Sequence, residues 1–130
     1  MESKPIVLYV EDEALLALAI IDVLEEAGFQ VEHVADGRAA IARLESGIGF
    51  LAALVTDVRL PGGIDGWEIA KRARELNGTV PVVYVSGDSI ADWDSEGVPN
   101  SLALQKPFAN AQLVTAITTL LNEAAKHPSS

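Results

Sequence analysis

The sequence predicts an α/β domain in which a five-stranded parallel sheet is doubly wound in a (βα)5 arrangement. Two observations support this fold class. Short apolar runs alternate with segments of helical periodicity along the 130 residues, and this alternation predicts right-handed βαβ crossovers with helices on both faces of the sheet. Most of the runs are also almost continuously apolar, as expected of parallel strands that are buried on both sides.

The predicted strands are short apolar runs, and they lie at 6–10, 30–34, 51–56, 80–85 and 102–105. The second run is a short strand, and a turn at Asp36 and Gly37 follows it. The other four runs end directly in charged or hydroxyl-bearing residues. Because helices separate all of these strands, we expect the strands to be parallel.

The predicted helices carry apolar residues at helical spacing, and they lie at 14–27, 38–45, 67–76, 89–96 and 109–125. The first and the last have the strongest apolar stripes. Glycine adopts the left-handed conformation at little cost, so we expect Gly28, Gly47 and Gly78 to follow the ends of the first three helices. The fourth segment is acidic and is the weakest helix candidate.

Length and composition indicate one globular domain. A chain of 130 residues corresponds to about one domain, and a hydrophobic content of 49% is sufficient for a core. We therefore expect a single domain over residues 1–130, with flexible ends at 1–4 and 126–130.

Charge and residue types exclude several classes of function. A net charge of -10 argues against contact with the phosphate backbone of nucleic acids. The absence of cysteine excludes disulfides and thiolate metal sites and suits a reducing cytosol. No signal peptide is recognisable, and no apolar stretch reaches the roughly 18 residues of a membrane span. We expect a cytoplasmic protein that neither inserts into membranes nor binds nucleic acid directly.

The candidate site consists of polar residues at the ends of four predicted strands, namely Glu11, Asp12, Asp57, Ser86 and Lys106. The carboxyl ends of parallel strands meet at one edge of the sheet, where ligands of open α/β proteins bind. Three crowded carboxylates repel one another, and Mg²⁺ with its oxygen ligands resolves that conflict. Each acid alone could equally be a solvated loop residue or a helix N-cap. Together with a lysine and a hydroxyl, which can bind phosphate oxygens, the acids predict a magnesium and phosphate site.

These motifs resemble the receiver domains of bacterial two-component response regulators. Four segments carry the resemblance, and they lie at 7–13 (VLYVEDE), 56–61 (TDVRLP) with Asp65 and Gly66 after it, 84–87 (YVSG) and 105–108 (QKPF). The resemblance covers essentially the whole chain. It implies the flavodoxin-like strand order 2-1-3-4-5.

The resemblance also implies a phosphoprotein of phosphorelay signal transduction and not an enzyme, apart from its own phosphorylation and dephosphorylation. Asp57 would attack the phosphoryl group of a phosphohistidine on a sensor histidine kinase or a histidine phosphotransfer protein. Mg²⁺ would be held by Asp12, Asp57 and the backbone carbonyl of Arg59, with Glu11 acting directly or through water.

In the same family mechanism, two further residues contact the phosphoryl group. Lys106 would bind one phosphate oxygen, and Ser86 would move to hydrogen-bond another. This movement would switch the binding of a downstream protein, whose identity the sequence does not indicate.

Three positions depart from the family pattern. The aromatic residue that usually lies three positions before the lysine is Ala103 here, which puts the usual output change in doubt. Tyr84 places an aromatic residue on the neighbouring strand instead, and its simplest role is core packing. The loop at 60–66 is one residue longer than the common pattern. Arg59, two positions after the acceptor, either alters phosphate lifetime and kinase access or is merely solvated.

Other interpretations stay open at the level of the sequence. A phosphatase of the haloacid dehalogenase type also uses an aspartate nucleophile, but it places a second aspartate where this chain has Arg59. A pure interaction module would have no use for the complete acidic, hydroxyl and lysine set. The chain could also be a fragment of a larger regulator or hybrid kinase, although Met1 lies close to the first strand and the tail is short. These features favour a stand-alone receiver.

Overall fold

The computed structural model describes residues 4–88 and 90–126. Five strands form its sheet: β1 (Ile6–Val10), β2 (Gln30–Val34), β3 (Leu51–Asp57), β4 (Val82–Ser86) and β5 (Ser101–Gln105). Every neighbouring pair is parallel, and the strand order is β2-β1-β3-β4-β5. The predicted fold class and strand order are therefore confirmed.

Five α-helices connect or follow the strands: α1 (Ala14–Glu26), α2 (Gly37–Gly47), α3 (Gly66–Leu76), α4 (Trp93–Glu96) and α5 (Asn110–Lys126). A 3-10 turn, Ile48–Phe50, precedes β3. Four of the helices begin and end within two residues of the predicted limits. None of the helices in the described ranges is long and apolar enough to cross a membrane.

The fourth helix is shorter than predicted. Of the predicted segment 89–96, only the last four residues are helical, and Ser89 lies outside the described residues. Asp92, at the N-cap position, makes no capping hydrogen bond with its side chain. Gly97 ends the helix, and it packs so closely on Trp93 that an added Cβ would lie 2.3 Å from the indole ring. A helix without a cap or an apolar stripe has little to extend it.

The predicted flexible ends fall almost entirely outside the described residues, which exclude 1–3 and 127–130. Of the two described residues in those segments, Lys4 is exposed and Lys126 is the last residue of α5.

The sheet has a hydrophobic core on each face. Successive side chains of β1 point to opposite faces, so Val7 and Tyr9 pack with α1 and α5, whereas Leu8 and Val10 pack with α2 and α3. All four are at most 1% exposed. This two-sided burial explains why the strands are almost continuously apolar.

The loop from β3 to α3 sets the backbone beside Asp57. Gly62 and Gly63 both have positive φ, at 89° and 88°, which glycine adopts without strain. The Asp65 carboxylate then accepts the backbone N–H of Glu68 at 2.9 Å and caps α3. At the first residue of α3, Gly66, an added Cβ would lie 2.1 Å from the carbonyl oxygen of Asp57. Only glycine allows α3 to begin so close to the end of β3.

We expect Gly66→Ala to lower the free energy of unfolding by about 1–3 kcal/mol, because the new methyl group must displace the backbone of Asp57. Urea denaturation followed by far-UV circular dichroism measures the loss. Gly49→Ala is the control, since an added Cβ at Gly49 meets no atom within 4 Å. Equal stability of the two variants would show that the close approach at Gly66 is unimportant.

Candidate functional site

The carboxyl ends of β1, β3 and β4, with the segment after β5, surround a cleft of about 300 Å³. All of the predicted site residues line it, and the full lining is Glu11, Asp12, Glu13, Asp57, Arg59, Ser86, Gly87, Asp88 and Lys106. The parallel strand order brings these residues together from separate parts of the chain.

Three carboxylates lie close together in this cleft. Glu11, Asp12 and Asp57 each offer an oxygen atom, and these oxygens lie within 4.8 Å of one another. Glu11 and Asp57 are buried, at 1% and 5% exposure, whereas Asp12 is exposed. Hard oxygen donors in a partly open site match the preference of Mg²⁺ for one or two carboxylates and several waters. The residues present therefore fit a magnesium ion.

Lys106 provides the positive charge of the cleft. Its Nζ lies 2.8 Å from Oδ1 of Asp57 and 3.1 Å from Oε1 of Glu11. The backbone N–H of Lys106 donates to the carbonyl of Ser86 at 2.7 Å, which fixes the start of this segment beside β4. Burial opposes the charge of Lys106, but both carboxylates outweigh this effect and raise its pKa. The ammonium therefore stays charged.

Glu11 is held by donors from several directions. Tyr9 donates its hydroxyl to Oε1 of Glu11 at 3.2 Å, and the backbone N–H of Glu13 donates to Oε2 at 3.2 Å. Burial and the neighbouring carboxylate of Glu11 raise the pKa of Tyr9, so the phenol remains a donor. Nε2 of His33 lies 2.8 Å from the backbone carbonyl of Glu11 and ties the end of β1 to β2.

The two buried carboxyl groups differ in their affinity for a proton. Burial raises the pKa of Asp57 from 3.8 to about 8, and hydrogen bonding to Glu11 adds to this shift while Lys106 opposes it. Burial also acts to raise the pKa of Glu11, but its hydrogen bonds with Asp57, the Glu13 N–H and Lys106 outweigh burial and lower it. The two groups titrate as a coupled pair, and the opposite directions of their pKa shifts favour a proton on Asp57 over one on Glu11.

At the mouth of the cleft, Ser86 and Arg59 both interact with Asp88. The Ser86 hydroxyl accepts the backbone N–H of Asp88 at 3.1 Å. Nε of Arg59 lies 2.6 Å from Oδ2 of Asp88, and the two side chains are 84% and 57% exposed. Ion pairs this exposed contribute about 0–1 kcal/mol to stability. The Arg59 side chain is thus neither buried nor purely solvated.

Tyr84 has a more specific environment than core packing alone. It is fully buried, its ring centroid lies 4.5 Å from that of Trp67, and it pairs in register with Ala103 of β5. Its hydroxyl also accepts the backbone N–H of Val98 at 3.0 Å. The aromatic ring that Ala103 lacks is therefore present on the adjacent strand, where it holds the segment after α4.

Sequence reasoning missed the contacts of Tyr9 and Asp88 with the site. Tyr9 precedes Glu11 by two residues, and side chains two apart on a strand share a face. That alternation could have placed the Tyr9 hydroxyl beside the Glu11 carboxylate. Asp88 lies in an irregular segment after β4, and no periodic signal could have placed it opposite Arg59.

Comparisons with known proteins agree with this geometry. The response regulator receiver domain profile matches residues 7–118. The chain is 31% identical over 117 residues to the response regulator receiver protein CpdR of Brucella abortus, covering 88% of this chain and 95% of CpdR. It is 36% identical over 119 residues to the transcriptional regulatory protein TcrA of Mycobacterium tuberculosis, covering 88% of this chain but only 45% of TcrA. It thus spans about half the length of TcrA.

Solved structures show the same similarity. A response regulator receiver protein from Sinorhizobium medicae has a TM-score of 0.89 and 43% identity, covering 92% of this chain and 96% of that one. The receiver domain of the sensor histidine kinase PA1611 from Pseudomonas aeruginosa, with a magnesium ion coordinated in its active site cleft, has a TM-score of 0.79 and 25% identity, covering 92% and 99%. The chain belongs to the response regulator receiver family, the phosphoacceptor domains of two-component signalling.

Proposed function

We propose that this domain accepts a phosphoryl group on Asp57 from the phosphohistidine of a sensor histidine kinase or a histidine phosphotransfer protein. The observation that carries the proposal is the buried Asp57 carboxylate, which lies 2.8 Å from the Lys106 ammonium beside two further carboxylates. A carboxylate held beside a fixed cation is suited to receive a phosphoryl group, because phosphoryl transfer depends on positioning and charge neutralisation.

Asp12, Asp57 and the backbone carbonyl of Arg59 would hold Mg²⁺, with Glu11 contacting it directly or through water. When bound, this ion supplies positive charge that neutralises the phosphoryl oxygens. The clustered carboxylate oxygens support this assignment. So does the magnesium ion in the active site cleft of the PA1611 receiver domain.

The residues of the chain then have distinct tasks. After Asp57 releases its proton to solvent, one of its carboxylate oxygens forms the new bond to phosphorus. The bond from phosphorus to the histidine nitrogen breaks, and that nitrogen keeps the electron pair. Lys106 neutralises one phosphoryl oxygen. The Ser86 hydroxyl, which accepts the Asp88 N–H in the unphosphorylated protein, turns to donate to another oxygen.

In this proposal the domain is a signalling protein that catalyses only its own phosphorylation and dephosphorylation. A phosphatase of the haloacid dehalogenase type needs a general acid two positions after the nucleophile. Arg59 occupies that position, and its guanidinium is permanently charged and paired with Asp88. We also propose a cytoplasmic location, because the proposed kinase or phosphotransfer partner would have to reach Asp57 there.

Asp57 should be the only phosphoacceptor. Incubation with acetyl phosphate and Mg²⁺ should add one phosphoryl group that hydroxylamine removes, as expected of an acyl phosphate. Asp57→Asn keeps the shape of the side chain but lacks the nucleophilic oxygen, so intact-mass spectrometry should detect no addition. Asp88→Asn, a change at the mouth of the same cleft, should still be phosphorylated. Comparable phosphorylation of Asp57→Asn would show that the acceptor lies elsewhere.

Without Mg²⁺, stability should fall as pH rises toward 8, because the pKa of Asp57 is raised to about 8. A group whose pKa is higher in the folded than in the unfolded protein stabilises the folded state by its full amount below the unfolded pKa. This stabilisation is lost as pH rises through the folded pKa. Asp57→Asn cannot ionise and should be more stable than the parent protein at pH 8 by more than about 1.4 kcal/mol, the free energy of one pKa unit.

Urea denaturation between about pH 5 and pH 8 tests this expectation. Saturating Mg²⁺ should stabilise the parent protein most at the upper end of the range, where a proton competes least for Asp57. Asp12→Asn, which alters the exposed acid of the cluster, should not reproduce the effect of Asp57→Asn. Equal stability of Asp57→Asn and the parent protein at high pH contradicts the raised pKa.

Phosphorylation should change amide exchange mainly in residues 86–100, with α1 little affected. The hydroxyl of Ser86 must leave the N–H of Asp88 to reach the phosphoryl group, and the short α4 gives the segment few buried contacts. Ser86→Ala should still be phosphorylated yet lose most of the response in hydrogen–deuterium exchange mass spectrometry. Ser95→Ala, in the same segment but outside the cleft, should retain it. A response that persists in Ser86→Ala, or lies mainly in α1, rejects this route.

A further inference from the structure

We propose that Tyr9 is a positioning residue for phosphoryl transfer, whose hydroxyl holds the Glu11 carboxylate so that Lys106 stays engaged with Asp57. This inference rests on the proposed function of Asp57 and extends it to a residue in the core. Tyr9 does not line the cleft and does not touch the reacting atoms. It acts through Glu11.

The contacts around Glu11 Oε1 are the basis of the proposal. Tyr9 is 1% exposed, and its hydroxyl lies 3.2 Å from Oε1. The Nζ atom of Lys106 lies 3.1 Å from the same oxygen. The Glu11 side chain is 0% exposed and Tyr9 lies in the hydrophobic core, so the side of Glu11 that faces Tyr9 is closed to bulk water. The phenol donates to a charged acceptor, and at 3.2 Å this contact is longer than the strongest hydrogen bonds from a hydroxyl to a carboxylate.

The position of Lys106 depends on how well Glu11 is satisfied by other donors. Lys106 contacts two carboxylates, at 3.1 Å and 2.8 Å, and divides its attraction between them. Without the Tyr9 hydroxyl, Oε1 of Glu11 would lose one of its donors and depend more strongly on Lys106. The ammonium would then be drawn toward Glu11 and away from the acceptor, Asp57.

The second buried tyrosine offers a matched control. Tyr84 is also fully buried and also uses its hydroxyl in one hydrogen bond, but its partner is the backbone N–H of Val98. Tyr9→Phe and Tyr84→Phe therefore remove the same atom from equally buried rings. Only the first change removes a donor from the carboxylate cluster.

Three measurements on the full chain test the proposal. Beryllofluoride serves as a phosphoryl mimic, and its affinity in the presence of Mg²⁺ is measured by isothermal titration calorimetry. Tyr9→Phe should weaken this affinity and slow phosphorylation by acetyl phosphate, each by roughly tenfold. Mg²⁺ affinity alone should change less, because Asp12 and Asp57 remain. Tyr84→Phe should leave both the affinity and the phosphorylation rate within about twofold of the parent protein.

A double variant tests whether Tyr9 acts through Glu11. In a Glu11→Gln background, Tyr9→Phe should cause little further loss, because the carboxylate that it positions is absent. Losses that multiply in the double variant contradict the proposal. The proposal is also contradicted if Tyr9→Phe matches Tyr84→Phe in every measurement. It is contradicted as well if Tyr9→Phe fails to fold, because the Tyr9 hydroxyl would then have a structural role only.

The same data separate this inference from the proposed function. If the parent protein is phosphorylated at Asp57 and Tyr9→Phe behaves like it, only the role of Tyr9 is wrong. If the parent protein binds neither Mg²⁺ nor beryllofluoride and is not phosphorylated, both proposals are wrong.

Discussion

The structure depends on an imbalance of charge at the carboxyl ends of its strands. Two buried carboxyl groups, Glu11 and Asp57, face one ammonium group, that of Lys106, and the exposed Asp12 adds a further negative charge. Burial and mutual repulsion favour retention of a proton on Asp57 when no metal ion is present. A cation and an anionic phosphoryl group can together replace that proton. The cluster therefore fits the magnesium ion and the phosphoryl group proposed for it.

The rest of the fold keeps this unfavourable cluster in place. Lys106 follows β5, which is separated from β3 and Asp57 only by β4, so its long side chain can extend past the end of β4 to Asp57. The backbone N–H of Lys106 donates to the carbonyl of Ser86 at 2.7 Å and fixes the start of this segment. On the other side of β3, β1 ends directly before Glu11 and so positions it beside Asp57. Gly66 allows α3 to begin in close contact with the backbone of Asp57. Free energy from two buried cores offsets the cost of burying the carboxylates.

Much of this arrangement was predictable because buried strands and helices have recognisable patterns of apolar residues in the sequence. Strands that are apolar on both faces end where polar side chains begin, so the positions of Asp57 and Lys106 followed from the strand limits. Side-chain contacts between separate elements produce no such pattern in the sequence. The ion pair of Arg59 with Asp88 joins two irregular segments, and the length of α4 depends on how Gly97 packs on Trp93. These features required the three-dimensional structure.

The two buried tyrosines occupy equivalent places on opposite faces of the sheet. Tyr9 precedes Glu11 by two residues and packs with α1 and α5, whereas Tyr84 precedes Ser86 by two residues and packs with α2 and α3. Each ring therefore shares a strand face with a residue of the cleft. Tyr9 donates a hydrogen bond to Glu11 of the cleft, and the Tyr84 hydroxyl accepts the backbone N–H of Val98. The Tyr84 hydroxyl therefore ties β4 to the segment after α4, although position 103 on the adjacent strand carries no aromatic side chain.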